Sequence, residues 1–399
     1  MIPRLSLNKH LHPSLSPHLT ADSSSVIYLE QLLRDSLALR ILEIPNVTMQ
    51  PLQFSGATPV KLAILFSGGL DCTVLARLAH DILPASQAID LLNVAFENPR
   101  VHKTNGTETG AGTDFFELCP DRITGRASLV ELRRVCPTRA WRFVAINVPY
   151  SETQEHRPIV ISLMHPHNTE MDLSISLALY FAARGLGQTC TGDIHHGLAT
   201  YTSPARVLLS GLGADELFAG YTRHATAFRR NGFPGLLNEV ELDVSRLGKR
   251  NLGRDDRVIS HWGREARFPF LDENVVGWAL QAEMPQKCGF GEEGGAGNDT
   301  SESLEAGKKV LRCLAWKLGM EGVAKEKKRA VSCIGLLAQL LNPLIWATDP
   351  IWRSDREDGD RENERHIDTE LKSSIGPNAT VRAVSLHVRS LPQHTHYRQ

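Results

Sequence analysis

No stretch of about 18 uninterrupted apolar residues occurs in the chain, so no membrane-spanning helix is predicted. No hydrophobic signal segment opens it. Residues 1–21 contain no Asp or Glu and are rich in Ser and His, which predicts a disordered start in preference to a transit peptide. No C-x-x-C pair is present. The seven cysteines (72, 119, 136, 190, 288, 313 and 333) are scattered and odd in number. This argues against a disulfide framework or zinc site and for a reducing, cytoplasmic setting. His165 and His167, like His195 and His196, lack a third ligand at helical or loop spacing, so loop histidines are expected rather than a metal centre. Net charge is −1 and no basic stripe interleaves with aromatics, so binding to nucleic acid is not predicted. The Walker-type phosphate loop and a complete G-x-G-x-x-G are absent too.

The chain does carry two strand-ending Ser-Gly turns. The apolar run 61–66 predicts a buried strand, and Ser67-Gly68-Gly69-Leu70-Asp71-Cys72-Thr73 follows it. Glycines let a backbone approach an anion closely, and a helix opening near Asp71 would offer unpaired N–H groups. An ordinary strand–turn–helix corner is the plainer alternative. A second short strand, 205–209, leads into Ser210-Gly211-Leu212-Gly213-Ala214-Asp215-Glu216. Carboxylates would repel a bare phosphate, so a shared Mg²⁺ reconciles Asp71 and Asp215 with a phosphate site. Helix capping is the competing reading of Asp215 and Glu216.

Composition (42% hydrophobic, 22% charged) fits a globular protein with room for two average domains or one large one. Helical spacing predicts a helix over 26–42, serving as a packing element or an inter-domain connection. Strands are predicted at 89–96 and 141–148, with a helix at 129–135 between them, and a Gly/Thr-rich surface loop over 105–112. Such alternation implies a parallel sheet with right-handed crossovers. Ligands on such sheets sit beyond the carboxyl ends of the strands, where both Ser-Gly turns fall. Thr169 to Asp172 has capping-box spacing ahead of a helix ending at Gly185. Further helices are expected over 228–249, 278–283 and 304–318, with a glycine-rich linker over 290–298. Trp262 and Trp278 read as core or rim.

The two turns, together with Gly263-Arg264-Glu265-Ala266-Arg267-Phe268-Pro269-Phe270-Leu271-Asp272, resemble the synthetase domain of asparagine synthetases. The resemblance is nearest to the asparagine synthetase domain-containing branch and covers about residues 60–331. It implies a PP-loop adenine-nucleotide α-hydrolase-like α/β fold, a parallel sheet flanked by helices with a helical C-terminal part. Residues 1–59 then form an N-terminal extension, partly disordered with one helix, and 332–399 a divergent tail, disordered or mis-assigned. The implied chemistry is ATP- and Mg²⁺-dependent adenylation of a carboxylate, aspartate in the family, followed by amide formation with ammonia. Ser67, Gly68, Gly69 and Asp71 would hold the pyrophosphate and its Mg²⁺, and Asp215 would supply the second metal carboxylate. Ser210 and Gly211 would line the nucleotide pocket, with Leu65 and Val94 bordering adenine. Lys308, four residues before Arg312, would neutralise the α-phosphate; its alternative is a solvated helix lysine. The helix opened by Thr169 would border the ATP site, or its acidic start would be only a cap. Phe268 to Leu271 reads as core, and Arg267 would pair with a carboxylate of the protein or of the substrate.

Three departures from the family pattern open a rival reading. Residue 2 is Ile, and about sixty residues precede the first turn, too few for the family's glutaminase domain. Amide formation is therefore expected to need free ammonia or a separate glutaminase or other protein partner. Leu212 stands where active synthetases carry Glu. A carboxylate there can take part in proton transfer or orient the amine, and loss of such a group costs about 10²–10⁴-fold. The family's Q-F-G element is replaced by Ser332-Cys333-Ile334-Gly335. The rival is a catalytically degenerate nucleotide-binding or assembly module. A PP-loop pyrophosphatase acting on tRNA is disfavoured by the E-A-R-x-P-F-L-D element.

Overall fold

The computed structural model describes residues 6–10, 18–45, 60–98, 114–190, 198–292 and 304–327. The loop at 105–112, His195, His196 and the tail beyond 331 lie outside them. In chain order the elements are α1 (Ser24–Ile41), β1 (Leu62–Leu65), α2 (Leu70–Ile82), β2 (Ile89–Phe96), α3 (Pro120–Val135), β3 (Trp141–Val148), α4 (Tyr150–Met164), α5 (Glu170–Arg184), β4 (Leu186–Cys190) and β5 (Leu198–Thr202). There follow β6 (Val207–Leu209), α6 (Ala214–Leu217), α7 (Thr222–Leu247), α8 (Gly253–Ser260), β7 (Glu265–Arg267), α9 (Glu273–Gln281), α10 (Lys309–Lys317) and α11 (Glu321–Lys325).

Side chains alternate across a strand, and here both faces are apolar. Leu62, Ile64 and Phe66 join one core with α1, α2, α10 and α11. Ala63 joins the other with Val160 of α4, Leu177 and Phe181 of α5 and Val258 of α8. In β3, Phe143 and Ala145 face the first core, and Val144 and Ile146 the second. The result is a sheet between two helical layers.

Among the described residues the sheet has seven strands, in the order β5-β4-β3-β2-β1-β6-β7. β1, β2, β3, β6 and β7 run parallel, with Ala63 beside Asp90 and beside Leu208. The sheet is parallel-dominated, as the alternation of strands and helices predicts, and β4 and β5 add an antiparallel hairpin on the β3 edge. Two helices, α4 and α5, join β3 to β4, and Gly185, in the left-handed region at φ 70°, ends α5 and turns the chain directly into β4. From β1 the chain steps through β2 to β3 in one direction, and later places β6 on the opposite flank of β1. The strand order thus reverses between β1 and β6, where open α/β sheets form their ligand crevice.

The predicted helices are present with shifted ends. α3 begins at Pro120, which suits the first turn because its missing N–H has no helical partner anyway. α7 starts at Thr222 and is broken by Gly232 (φ 62°) just before Pro234. α9 starts at Glu273 because Asp272 caps it, accepting from Asn274 N at 3.0 Å. Thr169 caps α5, its Oγ1 accepting from Asp172 N at 3.1 Å. Asp172 also pairs with the buried Arg254, so the acidic start of α5 is engaged within the protein.

α1 is a packing element. Val26, Leu29, Leu33 and Leu37 are buried in the first core. Its Ser36 Oγ donates to Pro269 O at 2.8 Å, and Arg40 pairs with Asp272 at 2.8 Å. Arg267 pairs with Glu265 at 2.8 Å and donates to the Arg40 carbonyl. The E-A-R-x-P-F-L-D element therefore seats α1, and Phe270 is fully buried. Ahead of α1, Leu7 and Leu19 are buried as well, and Asn8 N donates to Leu280 O at 2.7 Å.

Candidate functional site

Both Ser-Gly turns lie at the reversal of strand order, one after β1 and one after the adjacent β6. They are built alike. Ser67 Oγ accepts from Gly69 N at 3.3 Å, and Ser210 Oγ accepts from Leu212 N at 3.3 Å. Each hydroxyl closes its own turn, so the backbone is held without regular ladder pairing. The turns touch, since a Cβ on Gly211 would stand 2.9 Å from Asp71 Cβ.

The first turn presents the start of α2. Gly69 is its N-cap residue, and no side chain caps it. A Cβ on Gly69 would meet only Ser67 Oγ, at 3.4 Å, so its outer side is open. Gly68 has φ 82° and presses against α3, where a Cβ would lie 2.4 Å from Gly125 N. Ser128 Oγ donates to Gly68 O at 2.6 Å. These contacts fix the turn beneath the helix N-terminus, a geometry suited to an anion.

Behind that turn lies a buried polar brace. Asn93 Nδ2 donates to Phe66 O and to Asp121 O, each at 2.9 Å. Arg122 is fully buried; its Nε donates to Asn93 Oδ1 at 2.6 Å, and its Nη atoms reach Asn147 Oδ1 and Glu117 Oε1, both at 2.8 Å. The brace ties the carboxyl ends of β1, β2 and β3 together. Sequence reasoning missed Asn93, which lies in a predicted strand, and Arg122, Gly125 and Ser128, which lie ahead of the helix predicted over 129–135.

In the second turn Gly213 has φ 104° and precedes the single turn of α6. As the N-cap residue is a glycine, Asp215 does not serve as the cap. Its Oδ1 instead lies 2.9 Å from Lys308 Nζ. Lys308 Nζ also donates to Asp71 Oδ1 and Oδ2, at 2.9 Å each. One ammonium thus joins carboxylates from both turns.

Lys308 differs from the helical position expected of it. It precedes α10 in the left-handed region, at φ 55°, and is 6% exposed, which also sets aside a solvated lysine. Its N–H donates to Phe218 O at 3.0 Å, beside Ala219, which is also left-handed at φ 56°. Two strained non-glycine residues thus meet at one point, as functional sites often arrange. A Cβ on Gly220 would collide with Asp215 Oδ1 and with Lys308 Cε and Cδ, so only glycine fits there. Arg312 does not join the ammonium but anchors its loop, donating to Gly307 O, Ala324 O and Glu326 O and pairing with Glu305.

Electrostatics follow from burial and pairing. Burial would strip the Lys308 proton, but Asp215 and Asp71 outweigh it and hold the group charged well above its ordinary range. Burial, reinforced by the neighbouring Asp215 charge, raises Glu216, which accepts from Tyr221 Oη at 2.7 Å. Burial also raises the Cys72 thiol, so this cysteine of the first turn is not an activated nucleophile.

Ser67, Gly68, Gly69, Asp71, Ser210, Gly211, Asp215 and Lys308 are therefore brought together. Leu65 and Val94 sit at the carboxyl ends of β1 and β2, half-buried on the α4–α5–α8 face. They could form one wall for a flat apolar group. Two carboxylates and a lysine at an open helix N-terminus can hold a polyphosphate with a divalent cation. No cluster of three or more His, Cys, Asp or Glu forms a metal site among the described residues. No described helix is long and apolar enough to cross a membrane.

The asparagine synthase family model matches residues 194–238 and 234–344. An asparagine synthetase domain-containing protein 1 of Gallus gallus is 39% identical over 316 residues, covering 72% of this chain and 48% of the relative. An asparagine synthetase domain-containing protein of Saccharomyces cerevisiae is 36% identical over 277 residues, covering 68% of this chain and 46% of the relative. A putative glutamine-hydrolyzing asparagine synthetase of Methanocaldococcus jannaschii is 49% identical over 82 residues, covering 21% of this chain and 15% of that protein. The chain spans about half the length of the domain-containing relatives it matches.

Proposed function

Given that the chain belongs to the asparagine synthase domain family, we propose that it binds ATP with Mg²⁺ in the β1/β6 crevice and adenylates a carboxylate, which then forms an amide. The observation that carries this reading is the Lys308 ammonium held between Asp71 and Asp215 where the strand order reverses.

Ser67, Gly68, Gly69 and the α2 N-terminus hold the pyrophosphate portion of ATP. Asp71 and Asp215 hold Mg²⁺, and Ser210 and Gly211 line the nucleotide side. Leu65 and Val94 border the adenine. When bound, Mg²⁺ supplies charge neutralisation and a template for phosphate oxygens. Attack of the substrate carboxylate on the α-phosphorus breaks the bond to pyrophosphate, and negative charge grows on the phosphate oxygens. Lys308 meets that charge, a preorganised contribution that is usually among the larger ones in such chemistry. Aspartate is the proposed acid and ammonia the proposed amine. A cytoplasmic setting is supported by the free thiols among the described cysteines.

The test is pyrophosphate release from ATP with Mg²⁺, aspartate and ammonia, beside Asp71→Ala. Release that needs aspartate and is lost in the variant is expected. ATP binding without release would favour the second reading, a degenerate nucleotide-binding or assembly module. Leu212 is the observation behind that reading, since it offers no proton-transfer group at the mouth of the second turn. Absence of both binding and release from folded protein would overturn both.

A further inference from the structure

We propose that, without nucleotide, the Lys308 ammonium stands in for the divalent cation between Asp71 and Asp215, so that metal enters only together with a polyphosphate that draws the lysine away. This rests on the reading of the crevice as a nucleotide site.

The contacts are direct. Nζ lies 2.9 Å from both oxygens of Asp71 and 2.9 Å from Asp215 Oδ1. These are the two carboxylates available to a metal here. Mg²⁺ takes oxygen at about 2.0–2.1 Å and would have to enter the space that the ammonium fills. A dication and an ammonium so close together, sharing the carboxylates of Asp71 and Asp215, repel strongly in a partly buried site. Bare Mg²⁺ also gives up its water reluctantly and is held in such sites through one or two carboxylates together with phosphate oxygens. A triphosphate resolves the conflict. It brings oxygens for the metal and a new anionic partner for the lysine.

The surroundings confine this exchange to the tip of the side chain. The Lys308 backbone is pinned by its N–H to Phe218 O and by Arg312 to Gly307 O at 3.0 Å. Gly220 leaves no space for a side chain beside Lys308 Cδ and Cε. The ammonium can move between carboxylates and phosphate while the loop stays in place. Metal and nucleotide binding are then positively coupled, each raising the affinity of the other by the same factor.

Binding of Mn²⁺ is measured by loss of the free-ion electron paramagnetic resonance signal, with and without α,β-methylene-ATP. Wild type is expected to bind Mn²⁺ weakly alone and about tenfold or more tightly with the analogue. Lys308→Met is expected to bind Mn²⁺ without nucleotide about tenfold or more tightly than wild type, and Asp71→Asn in the same chain to abolish the gain. Equal Mn²⁺ affinity in wild type and Lys308→Met, or a gain that survives Asp71→Asn, would overturn the proposal. Lys308→Gln serves if the Met variant does not fold. If neither folds, equal Mn²⁺ affinity of wild type with and without bound analogue is the overturning result. Failure of the analogue to bind any variant would instead defeat the nucleotide-site reading, while the gain or its absence in Lys308→Met still decides the metal competition.

Discussion

Gly68 and Gly125 meet backbone to backbone, with no room for a Cβ on Gly68. Gly68 also has a φ of 82°, costly for any other residue. Gly68→Ala is expected to lower stability by roughly 1–3 kcal/mol and to weaken nucleotide binding further, because the turn itself must shift. Gly125→Ala meets Asn93 Nδ2 at 2.7 Å and pushes on the brace from the other side. Thermal melts, paired with titration of a fluorescent ATP analogue, check both. Unchanged binding in Gly68→Ala would show that the turn does not carry the phosphate.

Arg312 holds three carbonyls and Glu305 while almost fully buried. Arg312→Lys keeps the charge but cannot span that set with one ammonium. A loss of roughly 2–4 kcal/mol is expected in urea unfolding, since carbonyls are left without donors. Pyrophosphate release should fall more than ATP affinity, because Lys308 loses its fixed loop.

Much of the frame was legible in the sequence, for a physical reason. Strands buried on both faces read as apolar runs, so β2 and β3 lie over the residues predicted. The Ser-Gly turns stood out because glycine at a strand end has few other uses. The brace was not legible, since Asn93 and Arg122 acquire their roles only when β2, β3 and α3 are side by side. Lys308 falls within the helix predicted over 304–318, since apolar residues recur from Leu304 through Leu318. Its left-handed conformation is imposed by the tertiary bond to Phe218 O. The β4–β5 hairpin escaped because its strands alternate partly and fully exposed residues over much of their length and carry little apolar signal.

Lys287 is fully buried and its Nζ donates to Ala279 O at 2.6 Å, near the C-terminus of α9. Burial lowers its pKa to about 8, against an ordinary 10.5. Between those values the unfolded chain holds a proton that the folded chain has released, so stability contributed through Lys287 rises with pH there and is level below about 8. The buried Cys288 and Cys313 thiols, raised to about 12, act oppositely above their ordinary value of 9.0. The readout is therefore the difference between wild type and Lys287→Met, in which the thiol contributions largely cancel. Urea unfolding from pH 7 to 9.5 should show that difference move in favour of wild type by about 1–2 kcal/mol, nearly all of it above pH 8. A level difference would mean that the lysine keeps its ordinary proton affinity.

Leu212 offers the sharpest test of whether the crevice completes amide formation. Its N–H bonds Ser210 Oγ, and its neighbours Gly211 and Gly213 are pressed against Asp71 and Leu271, so its backbone is fixed. The side chain is only partly buried, which lets a carboxylate be placed there without a buried-charge penalty. In the proposed reaction, adenylation would rely on Lys308 and the two aspartates and would not need residue 212. Attack by ammonia must lose a proton, and Leu212 cannot take it. Leu212→Glu is therefore expected to leave pyrophosphate release within a few-fold and to raise amide formed per pyrophosphate by about 10²-fold or more. Parallel assays of pyrophosphate and asparagine in wild type and variant would decide it. An unchanged ratio, with release intact, would place proton removal on another group, of which Glu216, with its raised pKa beside Asp215, would be the next to replace.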